Sequence, residues 1–320
     1  MRLVVSLLTF SSLVLAQQAP AFKIEANYIK VPVSVFDSRG KILADLTRDD
    51  FRLFDQGEPR PIENFVLDTN PTNVILLLDA SGSVQEEIEE IQDAALSFAR
   101  SLKEEDRIAV ISFSDEVILL QNWTNNLRRL KNSLDELESG YRTALYDALL
   151  ATARERLDRV NGKRIIILLT DGIDNQSEAS YAQVMQSLVE SNISLYIISR
   201  TRFVQPKVEK SERVEFLNRV MKNVLNESKD FVDIYFREKE TAMRYLAEST
   251  GGRVFFPHKL SELQKTYLQL AEELKRRYIL TFRPPDKSSK SFREIQVFYT
   301  DPTAILHYRS NYHWVPPAGN

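Results

Sequence analysis

VILLLDASGSVQEEIEEI, Val74 to Ile91, decides the fold. Five apolar residues run without a break into an acid, and Ser81 and Ser83 follow at a spacing of two. A continuous apolar run bounded by turn residues fits a strand covered on both faces. Beyond the serines, Val84, Ile88, Ile91, Ala95, Phe98 and Leu102 fall on one stripe at helical spacing. A buried strand that feeds a helix through a short polar turn is the first half of a parallel α/β unit. Asp79, Ser81 and Ser83 sit at that turn. Alone they could be a turn and a helix cap; they could also be half of a metal site.

The same alternation continues. RIAVISF and EVILLQ form a hairpin around Ser114-Asp115, RIIILLT (164–170) is a second apolar strand, ISLYIIS (193–199) a third and RVFF (253–256) a short fourth. Helical patterns lie between them near 127–138, 144–159, 180–191 and 240–249, which predicts a doubly wound, mostly parallel sheet with helices on both sides. SERVEFLNRVMKNVLNES adds an amphipathic helix after Ile198, with Val214, Leu217, Met221 and Val224 three or four apart. Leu263, Tyr267, Leu270 and Leu274 mark a last helix, with Ser261 and Gln264 in capping-box spacing at its start.

The flanks read differently. IKVPVSV (29–35) alternates with period two, and Pro32 on the face opposite the apolar set predicts an edge strand. Ser38-Arg39-Gly40 and Gln56-Gly57 are turns, and DTNPTN (68–73) reads as a linker. After Arg277 strand character returns in YILTF, REIQVFYT and AILHYRS. Each flank alone has little core, so the amino- and carboxy-terminal strands are expected to pair into one small β domain.

At the other extreme of scale, 320 residues with 43% hydrophobic and 27% charged side chains suit one large or two ordinary globular domains. A net charge of -3 gives no pull toward nucleic acid. MRLVVSLLTFSSLVLA has a basic start, an apolar stretch and small residues at Val14 and Ala16, the pattern of a secretory signal peptide over 1–16. No later run is apolar enough to span a bilayer. Cysteine is absent, so an exported protein of this kind depends on its core rather than on disulfides. These features predict a secreted or periplasmic protein, of bacterial type.

In an open parallel sheet, ligands bind beyond the carboxyl ends of the strands. Two strands end in acids there, at Asp79-Ala-Ser81-Gly-Ser83 and at Asp171-Gly172, and Thr143 opens the helix TALYDALLATA. With the two strands as neighbours, both carboxylates and all three hydroxyls converge on one point. Taken singly, Thr143 fits an N-cap and Asp171-Gly172 a turn. Together the set is all oxygen, which suits a hard divalent cation, Mg²⁺ first and Mn²⁺ or Ca²⁺ next. Mg²⁺ wants six oxygens and keeps waters, so one position should stay open for a carboxylate from a partner.

DASGS, TALYDAL and LLTDG resemble the metal-ion-dependent adhesion site of von Willebrand factor type A domains. The resemblance covers roughly 72–277 and implies a metal held by Asp79, Ser81, Ser83, Thr143 and Asp171. The flanks LTRDDFRLFDQGEPRPIENF and LKRRYILTFRPP resemble those of secreted bacterial proteins related to that family. Glycines commonly precede the threonine in the family; here Tyr141 and Arg142 do, and they are candidate ligand-rim residues. The expected organisation is then a β segment over 22–71, the type A unit over 72–277 with an insertion near 201–239, and a C-terminal β segment over 278–317 pairing with the first.

Three functions follow. The leading one is a binding module, not an enzyme, that recognises an Asp or Glu carboxylate on a protein ligand through the metal. The second is an envelope assembly scaffold with a structural metal. The third is a metal-dependent hydrolase, which the sequence supports least: the second residue after Asp79 is a serine rather than an acid. His258, His307 and His313 all lie late in the chain, outside the metal loops, and a nucleophilic serine needs a base.

Overall fold

A computed structural model of the chain describes residues 28–81, 87–157, 160–211, 231–285 and 292–314. Residues 1–16, read above as a signal peptide, Ser83, Val84 and all but the first residue of the stretch SERVEFLNRVMKNVLNES, expected to be helical, lie outside the described residues.

The centre is a six-stranded sheet built from β5 (Thr72–Asp79), β6 (Arg107–Phe113), β7 (Val117–Thr124), β8 (Lys163–Thr170), β9 (Ser194–Ser199) and β10 (Val254–Phe255), in the order β10-β9-β8-β5-β6-β7. All neighbours are parallel except the edge hairpin β6–β7. Every residue of β5 is buried. That is the state a continuous apolar run requires, because one face alone could not cover both sets of side chains.

One face packs α1 (Ile88–Ser101), α2 (Leu127–Leu134) and α7 (Leu263–Lys275), with Ile91, Phe98, Leu130, Tyr267 and Leu270 in the core. The other packs α3 (Leu145–Ala151), α4 (Tyr181–Glu190) and α6 (Phe231–Thr250), with Leu149, Val184, Leu188 and Leu246. The sheet is therefore doubly wound. α3 runs on into a π-helical turn at Thr152–Leu157, and α5 (Thr201–Glu209) follows β9.

The terminal strands form two further four-stranded antiparallel sheets. One is β13-β1-β11-β4, from β1 (Ile29–Phe36), β4 (Asn64–Leu67), β11 (Tyr278–Phe282) and β13 (Ile305–Tyr308). The other is β14-β12-β2-β3, from β2 (Phe51–Asp55), β3 (Glu58–Arg60), β12 (Phe292–Tyr299) and β14 (Asn311–His313). Val31, Val33, Val35, Phe51, Leu280 and Ile295 share their core. Each sheet mixes strands from both ends of the chain, so neither flank can fold alone. Gln56 and Gly57 both have positive φ, 54° and 81°, the backbone a tight two-residue hairpin between β2 and β3 demands.

Four local expectations are corrected. β1 is not an edge strand: it lies between β13 and β11. The β13 ladder runs only from Val33 to Phe36, so Pro32 sits just past its end, opposite Ile279, where its missing N–H is not needed. DTNPTN is not a loose linker, since Asp68 is buried against Arg277 at 3.0 Å and Thr72 and Asn73 already belong to β5. The helix expected over 240–249 extends back to Phe231 within the described residues. Ser261 does not cap the last helix: it lies in a 3-10 turn (Leu260–Glu262), and Gln264 donates to Ser97 Oγ instead.

Among the described residues no helix is long and apolar enough to cross a membrane.

Candidate metal centre

Asp79 is the last residue of β5, and β8 runs beside it, with Leu78 level with Leu169. The next residue of β8, Thr170, donates its hydroxyl to Asp79 Oδ2 at 2.7 Å, while Ser81 N–H donates to Oδ1 at 3.0 Å. Asp171 follows immediately, and its Oδ1 accepts the N–H of Ile173 at 2.9 Å. This bond closes the turn through Gly172, whose φ of +76° favours glycine. Asp79 and Asp171 are both buried. Burial pushes the Asp171 carboxyl up to about 6, with the negative charge of Asp79 as the next cause. Two carboxylates thus lie at adjoining strand ends in a poorly solvated place.

The Thr143 loop is stitched to this edge by backbone. Gly140 N–H donates to Ala80 O at 2.8 Å, and Ser81 pairs with Gly140 in an isolated parallel bridge. A Cβ on Gly140 would stand 2.4 Å from Ser114 Oγ, so only glycine permits the approach. Thr143 is buried. It does not cap α3, which begins at Leu145 with Ala144 as its cap residue. Its N–H donates to Asn175 Oδ1 at 2.9 Å and its C=O accepts from Asn175 N–H at 3.1 Å. Asp174 accepts from Leu145 N–H at 2.9 Å and from the Ser177 hydroxyl at 2.6 Å.

The structure therefore draws Asp79, Ser81, Thr143 and Asp171 to the carboxyl edge of the central sheet. Ser83 lies outside the described residues. Among the described residues no group of three or more His, Asp or Glu forms a metal cluster; the oxygens gathered here are two carboxylates and hydroxyls. This donor set fits a hard cation, and the crowding of two buried carboxylates is the electrostatic deficit that a cation would relieve. Tyr141 is 96% exposed, and Arg142 is exposed with one contact to Gln176 Oε1 at 3.4 Å.

Asp174 and Asn175, which follow Asp171 closely enough in the sequence to lie near the same rim, were given no ligand role, and the sequence does not show what they bond. Asp174 and Asn175 brace the Thr143 loop, and Thr170 orients Asp79. Glu87 and Arg200 form a buried ion pair of 2.9 Å next to the same edge. The three histidines lie elsewhere: His258 against Arg202, His307 against the Phe36 ring, His313 near Glu190.

The arrangement is a doubly wound α/β domain with a polar strand-end site. Residues 74–173 match the family model described as von Willebrand factor type A domain, and the chain carries such a domain. No curated protein sequence matches it. Among solved structures it is similar to proximal thread matrix protein 1 from the mussel byssus, at 15% identity over 69% of this chain and 50% of that one, TM-score 0.48. The chain thus spans about half the length of that protein, which has also been solved with a zinc-occupied MIDAS motif. A von Willebrand factor type A protein from Catenulispora acidiphila is similar at 11% identity over 91% of this chain and 74% of that one, TM-score 0.48. BatB from Bacteroides thetaiotaomicron is similar at 16% identity over 64% and 99%, TM-score 0.44.

Proposed function

We propose that the chain is an exported binding protein whose type A domain takes up a divalent cation, Mg²⁺ first, through Asp79, Ser81, Ser83, Thr143 and Asp171. The ion's remaining position receives an Asp or Glu carboxylate from a protein partner, and Tyr141 and Arg142 meet that partner at the rim. The observation that carries this reading is the pair of buried carboxylates on adjoining strand ends, with Asp171 held well above its ordinary range by burial and by Asp79. Such a pair is costly without a counter-charge. A bound cation supplies that charge and polarises an incoming carboxylate. The residues around it orient Asp79 through Thr170 and fix Thr143 on its braced loop.

The test has two stages. Millimolar Mg²⁺ or Mn²⁺ should raise the melting temperature, because a ligand that binds only the folded state stabilises it. Asp171→Asn should abolish that rise. Partner capture from envelope extract should then disappear in EDTA, disappear with Thr143→Ala, and be competed by a short acidic peptide. Capture that survives all three would replace this reading with that of a scaffold.

A further inference from the structure

The central sheet ends on β7, and among the described residues β7 pairs with β6 alone. Its outer row of backbone N–H and C=O groups is an open ladder. The other sheet ends are short or blunted. β10 has two residues and β14 three, β4 and β13 have four each, and β3 carries Pro59 between Glu58 and Arg60. β7 has eight residues, VILLQNWT, with neither a charge nor a proline. Its register against β6 shifts only on the two sides of Val110, opposite Gln121. Val117 and Ile118 are 40% and 49% exposed, although both are strong strand formers with wholly apolar side chains. Proteins ordinarily guard a long uncharged edge with lysine, proline or a covering element.

The charges at its two ends indicate what covers it. Asp115 and Glu116 precede β7, and Arg128 and Arg129 follow it in the first turn of α2, all four exposed. Among the described residues Glu116 and the two arginines form no ion pair within the chain. In the turn beside the arginines Lys103 and Arg107 offset Glu104 and Glu105, with Lys103 3.9 Å from Glu105. One end is thus acidic, the other basic, and the strand between them neutral. Two antiparallel copies set the acidic end of each beside the basic end of the other, whereas a parallel arrangement sets like charges together.

We propose that β7 pairs with β7 of a second copy across a two-fold axis perpendicular to the sheet, joining the two central sheets into one. Such an axis keeps corresponding faces on the same side, so facing residues must have numbers that add to an even total. The register centred on Leu120 sets Val117 against Trp123 and Ile118 against Asn122, which covers both exposed apolar side chains. Edge pairing of this length is a small interface, so the dimer belongs to the micromolar range. The carboxyl edges of the two sheets then open in opposite directions, and one dimer can hold two separate partners.

Sedimentation equilibrium of the full chain in EDTA, at about 100 μM, tests the pairing apart from the metal. Wild type should be dimeric, and a monomer at that concentration overturns the proposal. Ile118→Lys places a charge on an edge residue already half exposed, where the monomer tolerates it. It should raise the dimer Kd at least about tenfold. Glu116→Lys should weaken the dimer, as should Arg128→Glu with Arg129→Glu, and the combined reversal should recover part of the loss. The chain has no cysteine, so a single Leu120→Cys can crosslink only to its own counterpart. Oxidation should give a disulfide dimer of Leu120→Cys and none of Ile118→Cys, which lies off the axis. A dimer that Ile118→Lys leaves intact, a charge reversal without recovery, or crosslinking equal at the two positions or absent at Leu120 overturns the proposal.

Discussion

Asp171 and His307 titrate in opposition. In the absence of a cation the Asp171 carboxyl is raised to about 6 from 3.8, so the folded state binds its proton more tightly than the unfolded chain does. Its contribution is therefore favourable in acid and is lost as pH rises through 6. His307, lowered from 6.5 to about 4 by burial and by the charge of Arg253, behaves the other way. The unfolded chain takes up that proton first, so stability present above 6.5 is lost as pH falls toward 4, by roughly 3 kcal/mol if the shift is fully expressed. In metal-free protein, Asp171→Asn should steepen the loss of stability between pH 6.5 and 4, and His307→Phe should flatten or reverse it. Urea midpoints across that range check both signs; identical slopes in the two variants would refute the account. Asp174→Ala, which strips the acceptor from Leu145 N–H and the Ser177 hydroxyl, should cost about 1–3 kcal/mol. It should also weaken the Mg²⁺ response by loosening Thr143.

At the level of elements, the site depends on one close approach. Gly140→Ala puts a methyl against Ser114 and must displace the loop that carries Thr143. A loss of about 1–3 kcal/mol is expected, with the metal-induced rise in melting temperature reduced and the far-ultraviolet dichroism unchanged. The central strands and helices were legible because VILLL and RIIILLT can be satisfied only between two layers, and because the α1 stripe has helical period. The sheet edge at Asp79 and Asp171 was legible for the same reason, as both acids end apolar runs. The braces were not. Asn175 and Asp174 act through bonds to backbone some thirty residues earlier, at Thr143 and Leu145, and no periodicity encodes such a contact. Glu87 looked like one acid among several at a helix start, and only its burial against Arg200 sets it apart. Pro32 misled because its consequence depends on where the neighbouring ladder stops, which is a fact of pairing rather than of composition.

At the scale of the molecule, the α/β unit is joined to the terminal sheets through a polar seam. Arg277 donates to Asp68 at 3.0 Å and to Ser194 Oγ at 3.1 Å, all three buried. Burial opposes the Asp68 charge, but Arg277 and Lys163 outweigh it and hold the carboxyl below its ordinary value. Arg277→Met leaves that carboxylate unpaired and should cost about 3–5 kcal/mol, read from the denaturant midpoint. Asp68→Asn combined with it should recover part of the loss, and no recovery would show that the seam owes nothing to the pair.

The antiparallel sheets take strands from both flanks, with β4 hydrogen-bonded to β11 at Leu67–Tyr278. Bringing those two residues together from an open chain means closing a loop of roughly two hundred residues, at a corresponding entropic cost. Once the intervening unit has condensed, they are neighbours and the closure is short. During synthesis β1 and β4 must therefore wait for β11 to arrive, and β2 for β12. The slow step of maturation belongs to the latecomer strands, and the waiting edges are where a chaperone or a premature self-association would act.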